Sequence, residues 1–358
     1  MKLYIITGEP SGDIHAANLV RELNKKDNIK IRAWGGERLA KEKIEIASDI
    51  KDLAFMGILD VLKNIFFLRK KIAYCKEDIL KFKPDGLILI DYAGFNLKIA
   101  AFAKKHNIKV FYYIPPKLWA WNSSRVKKIK EFVDHLLVIF PFEVDFYKKY
   151  NINATYVGNP SFDEIRNTSQ KDDFKINQQY IALVPGSRKQ EIDSILPEML
   201  KIVDHYKSYN FIITATNQFT ESYYKSFVKN KNVEIVFNKT YSIISNAKAA
   251  LVTSGTASLE TALLNIPQVV CYKTNYITYI IARYVIKIPF LSLVNILMNK
   301  NVVKELIQND LNKYNLIISL DNALERKELI INEYNKLKNL LGNQSAAKKA
   351  SNYIISNI

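Results

Sequence analysis

Short apolar runs recur along this chain. Each is followed by a turn of small residues and then by apolar positions at helical spacing. Leu251-Val252-Thr253-Ser254-Gly255-Thr256-Ala257-Ser258-Leu259-Glu260-Thr261-Ala262 shows the whole unit: a strand ends, small residues turn the chain, and a helix begins. Further runs read as strands at Lys2–Thr7, Ile29–Trp34, Gly86–Ile90, Lys109–Ile114 and His135–Ile139. The pattern restarts at Tyr180–Val184 and continues through Asn210–Thr214, Val233–Phe237, Ala249–Val252 and Gln268–Tyr272. Strands that are apolar throughout, alternating with helices, belong in a parallel sheet covered on both faces. The expected class is α/β.

A chain of 358 residues exceeds what one core usually holds, so two domains are expected. Residues 161–179 are polar and lack an apolar period, which makes them the candidate linker. The divisions read as 1–163, 164–335 and a helical tail, 336–358, that is a candidate to return to the first domain. Cys75 and Cys271 have no partners at metal-ligand spacing and read as buried thiols of a reducing compartment. No secretory signal is read at the start of the chain. The apolar stretch Ile277–Leu297 is interrupted by Arg283, Lys287 and Pro289, so a membrane-spanning helix is not expected there.

Charge is the unusual feature: 52 Lys and Arg against 35 Asp and Glu give a net +17. Nucleic acid, an anionic membrane surface or a phosphorylated substrate would each suit it. So would a lysine-rich proteome with no partner implied. The chain shows no basic recognition helix or RNA-binding motif, and nucleic acid is not expected as a partner.

The first backbone N–H groups of a helix lack internal partners and carry partial positive charge, so a turn such as 254–257 favours phosphate. Ser254, Gly255, Thr256 and Ala257 are small enough to let a ligand approach the backbone. Glu260, one turn on, is placed to accept from sugar hydroxyls. Pro185-Gly186-Ser187-Arg188 is a second such turn, and Arg188 adds a fork suited to phosphate oxygens. Two such turns in one domain suggest a shared diphosphate. The G-x-x-x-x-G-K-[ST] of an ATPase is absent, and Gly8-Glu9-Pro10-Ser11-Gly12-Asp13 is not the dinucleotide fingerprint. Ser11 and Asp13 either cap the helix that follows or line a crevice at the strand end. Asp91, ending the strand Gly86–Ile90, is either a turn residue or a general base.

Gly57–Tyr74 carries more apolar residues than one buried face needs. Phe66, Phe67 and Leu68 stand beside Arg69, Lys70 and Lys71. This suits a helix lying in a bilayer interface, and equally a buried helix with a basic end. Pro115-Pro116-Lys117-Leu118-Trp119-Ala120-Trp121-Asn122 offers aromatic faces to a sugar, a lipid or a base.

Taken together in order, several segments resemble the lipid-A-disaccharide synthase family over nearly the whole chain. They are Gly8–Asp13, Met56-Gly57, Asp91 with Phe95-Asn96, Pro116 with Trp119-Ala120-Trp121, and Phe140-Pro141-Phe142-Glu143. They continue with Val157-Gly158-Asn159-Pro160, Pro185–Arg188, Ser254–Glu260, Ser292 with Asn295, and Glu305-Leu306 with Gln308. The resemblance implies a GT-B glycosyltransferase of family 19, with two Rossmann-like domains whose parallel sheets face a central cleft. It implies inverting transfer of 2,3-diacylglucosamine from UDP to the 6-hydroxyl of 2,3-diacylglucosamine 1-phosphate (lipid X). The rival of similar architecture is another UDP-sugar enzyme, a MurG-like transferase or a UDP-N-acetylglucosamine 2-epimerase.

Carried over residue by residue, the resemblance implies Asp91 as base. It implies UDP contacts from Gly186, Ser187, Arg188, Ser254, Gly255, Thr256, Ala257, Glu260 and Asn295. The acceptor side falls to Ser11, Gly12, Asp13, Asn96 and Trp119. No metal and no cofactor are expected, and a homodimer stays open. The expected location is the cytoplasmic face of the inner membrane, bound peripherally to its anionic surface. Four residues depart from the family pattern: Gly94, where a second Asp is usual, Lys117, Asn122 and Val294. With Gly94 in place, no second carboxylate competes with Asp91.

Overall fold

The computed structural model describes residues 1–52, 65–120, 123–169, 178–228, 232–285 and 288–358. The chain divides into two compact units, Met1–Asp163 with Gln344–Ile358, and Glu164–Asn343.

In the first unit the strands are β1 (Lys2–Ile6), β2 (Lys30–Gly35), β3 (Glu45–Asp49), β4 (Gly86–Ile90), β5 (Lys109–Tyr113), β6 (His135–Val138) and β7 (Ala154–Tyr156). They form one sheet in the order β3-β2-β1-β4-β5-β6-β7, with all pairings parallel. Alternation along β1 shows why its run had to be apolar throughout. Tyr4 and Ile6 enter the core on one face, with Leu87, Leu89 and Tyr112. Leu3 and Ile5 enter the core on the other, with Ala16, Ala17, Val20 and Ile88. The helix Ala346–Ser356 joins that second core through Ala350 and Ile354. Its start is fastened by Ala347 N–H donating to Asp163 Oδ2 at 2.9 Å. The helix Lys327–Leu341 stays with the second unit.

The second unit repeats the plan with β8 (Tyr180–Val184), β9 (Asn210–Ala215), β10 (Val233–Phe237), β11 (Ala249–Thr253), β12 (Gln268–Tyr272) and β13 (Lys304–Ile307). Their order is β10-β9-β8-β11-β12-β13, again parallel throughout. Leu251 faces one core with Leu183 and Ile213; Val252 faces the other with Ala182 and Ile243.

Two expectations need correction. The stretch 161–179 is not linker throughout, because Pro160–Ser169 is a helix. Pro160 stands in its first turn, where a missing N–H matters least, and Asn159 Oδ1 accepts from Ser161 N–H at 3.0 Å. The edge strands β3 and β13 were not expected. Both are short and partly exposed, so neither carries a continuous apolar run.

Candidate functional site

In a doubly wound sheet, ligands bind beyond the carboxyl ends of the strands where the winding reverses. In the first unit the reversal lies between β1 and β4, so the turns Thr7–Glu9 and Asp91–Tyr92, with the helix starts that follow them, flank it. They touch: a Cβ on Gly8 would lie 2.3 Å from the Tyr92 ring.

Asp91 and Tyr92 are consecutive residues in the left-handed region, at φ 50° and 44°. Such a conformation costs on the order of 1–3 kcal/mol per residue and persists only where the surroundings impose it. Here Asn96 Nδ2 donates to the carbonyls of Ile90 and Asp91 at 3.2 and 2.8 Å. Tyr112 Oη donates to the Asp91 carbonyl at 2.7 Å. The Asp91 N–H reaches Ile114 O at 3.2 Å, and Ile114 is itself left-handed at φ 57°. Asn96 and Tyr112 thus hold the backbone of Asp91, leaving its half-buried side chain at the strand end. Asn96 is fully buried, and its amide holds the backbone of Asp91.

Asp13 caps a helix, but not its own. Its buried carboxylate accepts from the N–H groups of Gly36, Arg38 and Leu39 at 2.6, 2.9 and 3.3 Å, at the start of the helix Glu37–Ala40. A side chain so engaged shapes the crevice wall and has little left for a ligand. Ser11 is exposed in the first turn of the helix Pro10–Leu23, and Gly12 is buried beneath it.

Trp119 is half-buried. Its Nε1 donates to Glu143 Oε1 at 3.0 Å, and its ring meets Phe142 edge-on at 4.9 Å. Glu143 Oε2 accepts from the N–H groups of Ile139 and Phe140 at 3.1 and 3.0 Å. Burial pushes the Glu143 carboxyl up to about 7, outweighing the donors that favour its charge. Trp121 and Asn122 lie outside the described residues.

In the second unit the winding reverses between β8 and β11, so both phosphate-type turns flank it. They adjoin: a Cβ on Gly186, at φ 102°, would lie 3.2 Å from Thr253 Cγ2. The turns are nevertheless unlike. Gly255 (φ 137°, ψ −150°) precedes the helix Thr256–Leu263, whose first turn holds no acidic residue. Only glycine adopts that conformation readily, and the space where its Cβ would stand is open for 4 Å. A helix start of this kind, without an acid and open beside a glycine, is suited to an anion. The helix Lys189–Met199 begins after Arg188 with Glu191 in its first turn. Glu191 Oε2 would lie 2.5 Å from a Gly186 Cβ, and Oε1 is 3.6 Å from the exposed Arg188 guanidinium. That helix end already meets a carboxylate. The two turns expected to share a diphosphate are therefore not equivalent: Glu191 stands at the start of one helix, and the first turn of the other holds no acidic residue. Ser187 is exposed at the mouth and Ser254 is half-buried, its N–H on Cys271 O at 3.2 Å.

Glu260 is half-buried one turn into the helix. Burial, with the nearby Glu164 charge, pushes its carboxyl up to about 7 against the opposing hydrogen bond from Tyr241. Asn295 departs from its expected place among the UDP contacts. It is fully buried. Its Nδ2 donates to Val303 O and Glu305 Oε1 at 2.9 and 2.8 Å, and its Oδ1 accepts from Val302 and Val303 N–H at 2.8 and 3.0 Å. All four hydrogen-bonding positions of the amide are occupied within the protein. Glu305 also receives the N–H groups of Leu291 and Ser292, both at 2.9 Å, and Ser254 Oγ reaches Leu291 O at 3.5 Å. Asn295 and Glu305 therefore fix the loop beside Ser254. Sequence reading missed Tyr112, Tyr241 and Glu191; the first sits in an apolar strand and carries no local signal.

A profile of the lipid-A-disaccharide synthetase family matches residues 3–358. The chain belongs to that family. It is 35% identical over 364 residues to the lipid-A-disaccharide synthase of Syntrophus aciditrophicus, covering 97% of this chain and 95% of that one. Lipid-A-disaccharide synthase 1 of Legionella pneumophila (strain Lens) is 34% identical, over 96% and 94%. Family membership makes the chain a glycosyltransferase of lipid A biosynthesis. Among solved structures it resembles the UDP-GlcNAc 2-epimerase of Neisseria meningitidis bound to UDP-GlcNAc, at TM-score 0.71 and 16% identity over all of both chains. The corresponding Methanocaldococcus jannaschii enzyme, in complex with UDP-GlcNAc and UDP, gives 0.68 and 16%, again over all of both chains. At that identity the likeness is one of fold: two Rossmann-like domains of the GT-B class. Among the described residues, no helix is long and apolar enough to cross a membrane, and no cluster of three or more His, Cys, Asp or Glu is set to hold a metal ion.

Proposed function

We propose that the chain moves 2,3-diacylglucosamine from UDP-2,3-diacylglucosamine to the 6-hydroxyl of lipid X, releasing UDP and the β(1→6) tetraacyl disaccharide 1-phosphate. The observation that carries this reading is the Gly255 turn at the winding reversal of the second unit, in a member of this family. Asp91 takes the proton of the acceptor 6-hydroxyl. The oxygen attacks the donor's anomeric carbon from the face opposite UDP, the bond to the diphosphate breaks, and its electron pair leaves on the phosphate oxygen. The N–H groups of 255–257 and the Arg188 guanidinium stabilise the charge that grows there. Glu260 accepts from the ribose hydroxyls. Ser11, Gly12 and Trp119 border the acceptor.

Turnover with UDP-2,3-diacylglucosamine and lipid X tests the proposal. Disaccharide formed only when lipid X is present supports it. A 2-epimer formed without acceptor would make the chain an epimerase instead.

The raised Glu260 carboxyl predicts a pH dependence. A neutral carboxyl is a poorer acceptor, so affinity for an intact UDP-sugar, whose diester phosphates do not titrate here, is expected to fall as pH drops through about 7. Calorimetry from pH 8 to about pH 5.5 reads it; a flat profile that matches Glu260→Gln would remove Glu260 from the site.

The substrates are acylated, so the enzyme works at the membrane that holds them, peripherally and at the cytoplasmic face. The helix Ile65–Phe82 is anchored through Ile72, Cys75 and Ile79, while Phe66 and Phe67 are 72% and 40% exposed. Arg69 stands 5.9 Å over the Phe66 ring and Lys71 5.5 Å over that of Phe67. Residues 57–64 of the expected interfacial helix lie outside the described residues. Replacing Phe66, Phe67 and Leu68 with Ser is expected to weaken vesicle binding while UDP affinity holds; unchanged co-sedimentation would rule out this contact.

A further inference from the structure

We propose that the second unit carries a lipid contact of its own, the exposed face of the helix Tyr276–Val285, and that its occupant is an anionic bilayer interface. The purpose assigned to it rests on the acylated-substrate reading above; the observations do not.

Tyr276, Ile280 and Tyr284 are 69%, 38% and 85% exposed. Spaced by four, they align along one side of the helix. Side chains of this size standing together in water mark an interaction surface. The helix has a firm mount. Asn275 Oδ1 accepts from Thr278 N–H at 2.8 Å. Just before it, Thr274 is held on both backbone groups by Gln308, at 2.9 and 3.0 Å. The chain enters this helix from the end of β12, the strand beside β11, on the same edge of the sheet as the Gly255 cradle.

Charge identifies the occupant. From Thr274 to Lys304 the sequence holds no Asp or Glu, and the stretch that includes this helix carries the basic Arg283 and Lys287; Lys300, further on, is paired with Glu333. An acid-free basic segment carrying exposed tyrosines suits an anionic headgroup layer, where an aromatic ring sits in the apolar boundary with its hydroxyl toward water. A second copy of the chain fits poorly. Three such side chains supply roughly 500 Å², short of the ~800 Å² per partner of a stable interface. A lipid contact on this unit brings the membrane to the domain that binds the donor, whose acyl chains would otherwise have to leave it.

The test uses the full chain, vesicles of phosphatidylcholine with and without phosphatidylglycerol, and no substrate. Tyr276→Ser with Tyr284→Ser is expected to lower partitioning onto the anionic vesicles about tenfold, with UDP affinity and solution mass unchanged. Tyr276→Phe with Tyr284→Phe should retain binding. As a second measurement, Tyr284→Trp should show fluorescence quenching by brominated lipid beyond that of the unaltered chain. Unchanged partitioning, absent quenching, or a change in solution mass as the sole effect would overturn the proposal. Turnover is not among the readouts, so failure of the transferase reading and failure of this one are separable.

Discussion

Asp91→Asn is expected to lower turnover by roughly 10²–10⁴ while UDP affinity stays close to that of the unaltered chain. Asparagine is the informative replacement. Position 91 is left-handed, at φ 50°, a conformation asparagine accepts as readily as aspartate. The contacts that hold it, from Asn96 Nδ2 and Tyr112 Oη, reach the Asp91 carbonyl and not its side chain. The substitution therefore removes the proton acceptor and leaves the backbone in place. Single-turnover kinetics with lipid X would read the loss, and calorimetry with UDP would show the donor site intact. Near-normal turnover would mean that another group takes the proton. Asn96→Ala should behave differently, because it releases the strained turn: both turnover and thermal stability are expected to fall.

The second large effect is expected at Arg188. In the proposed mechanism Arg188→Ala removes a donor to the departing diphosphate, for an expected loss of about 2.7–4 kcal/mol or ~10²–10³ in kcat. Arg188→Lys keeps the charge without the planar fork and should recover part of the rate. The side chain is exposed and its neighbour Glu191 lies 3.6 Å away, so neither change should disturb folding. Steady-state kinetics against donor concentration checks this. A rise in KM with kcat unchanged would assign Arg188 to binding alone and not to the transition state.

How much of this was legible beforehand varies by residue, and the reason is physical. Gly255 was legible because its neighbours form a local signature: apolar run, small turn, helix. Asp91 was legible as a carboxylate at a strand end, but the residues alone favoured a turn or capping role over that of a base. What gives it a held position is Tyr112, distant in the chain and brought alongside by the β4–β5 pairing. Gly186 and Gly255 looked alike as turns, yet Glu191 stands in the first turn of the helix after one, and the first turn after the other holds no acid. Asn295 read as a ligand contact because its surroundings matched a family motif. The fold instead closes all its hydrogen bonds on Val302, Val303 and Glu305.

By itself the sequence determined that this chain builds two parallel sheets wrapped in helices. Runs such as Gly86–Ile90 and Ala249–Thr253 are apolar at every position or nearly so, and only a sheet buried on both faces keeps both sides of such a strand from water. It also determined where the small-residue turns at the strand ends fall, since glycine and small residues there are a local requirement. Tertiary structure alone decided which polar side chains remain available to a ligand. Asp13 and Asn295 are taken up because backbone donors and acceptors from other segments arrive beside them on folding, and a buried polar group is stable only with its partners in place.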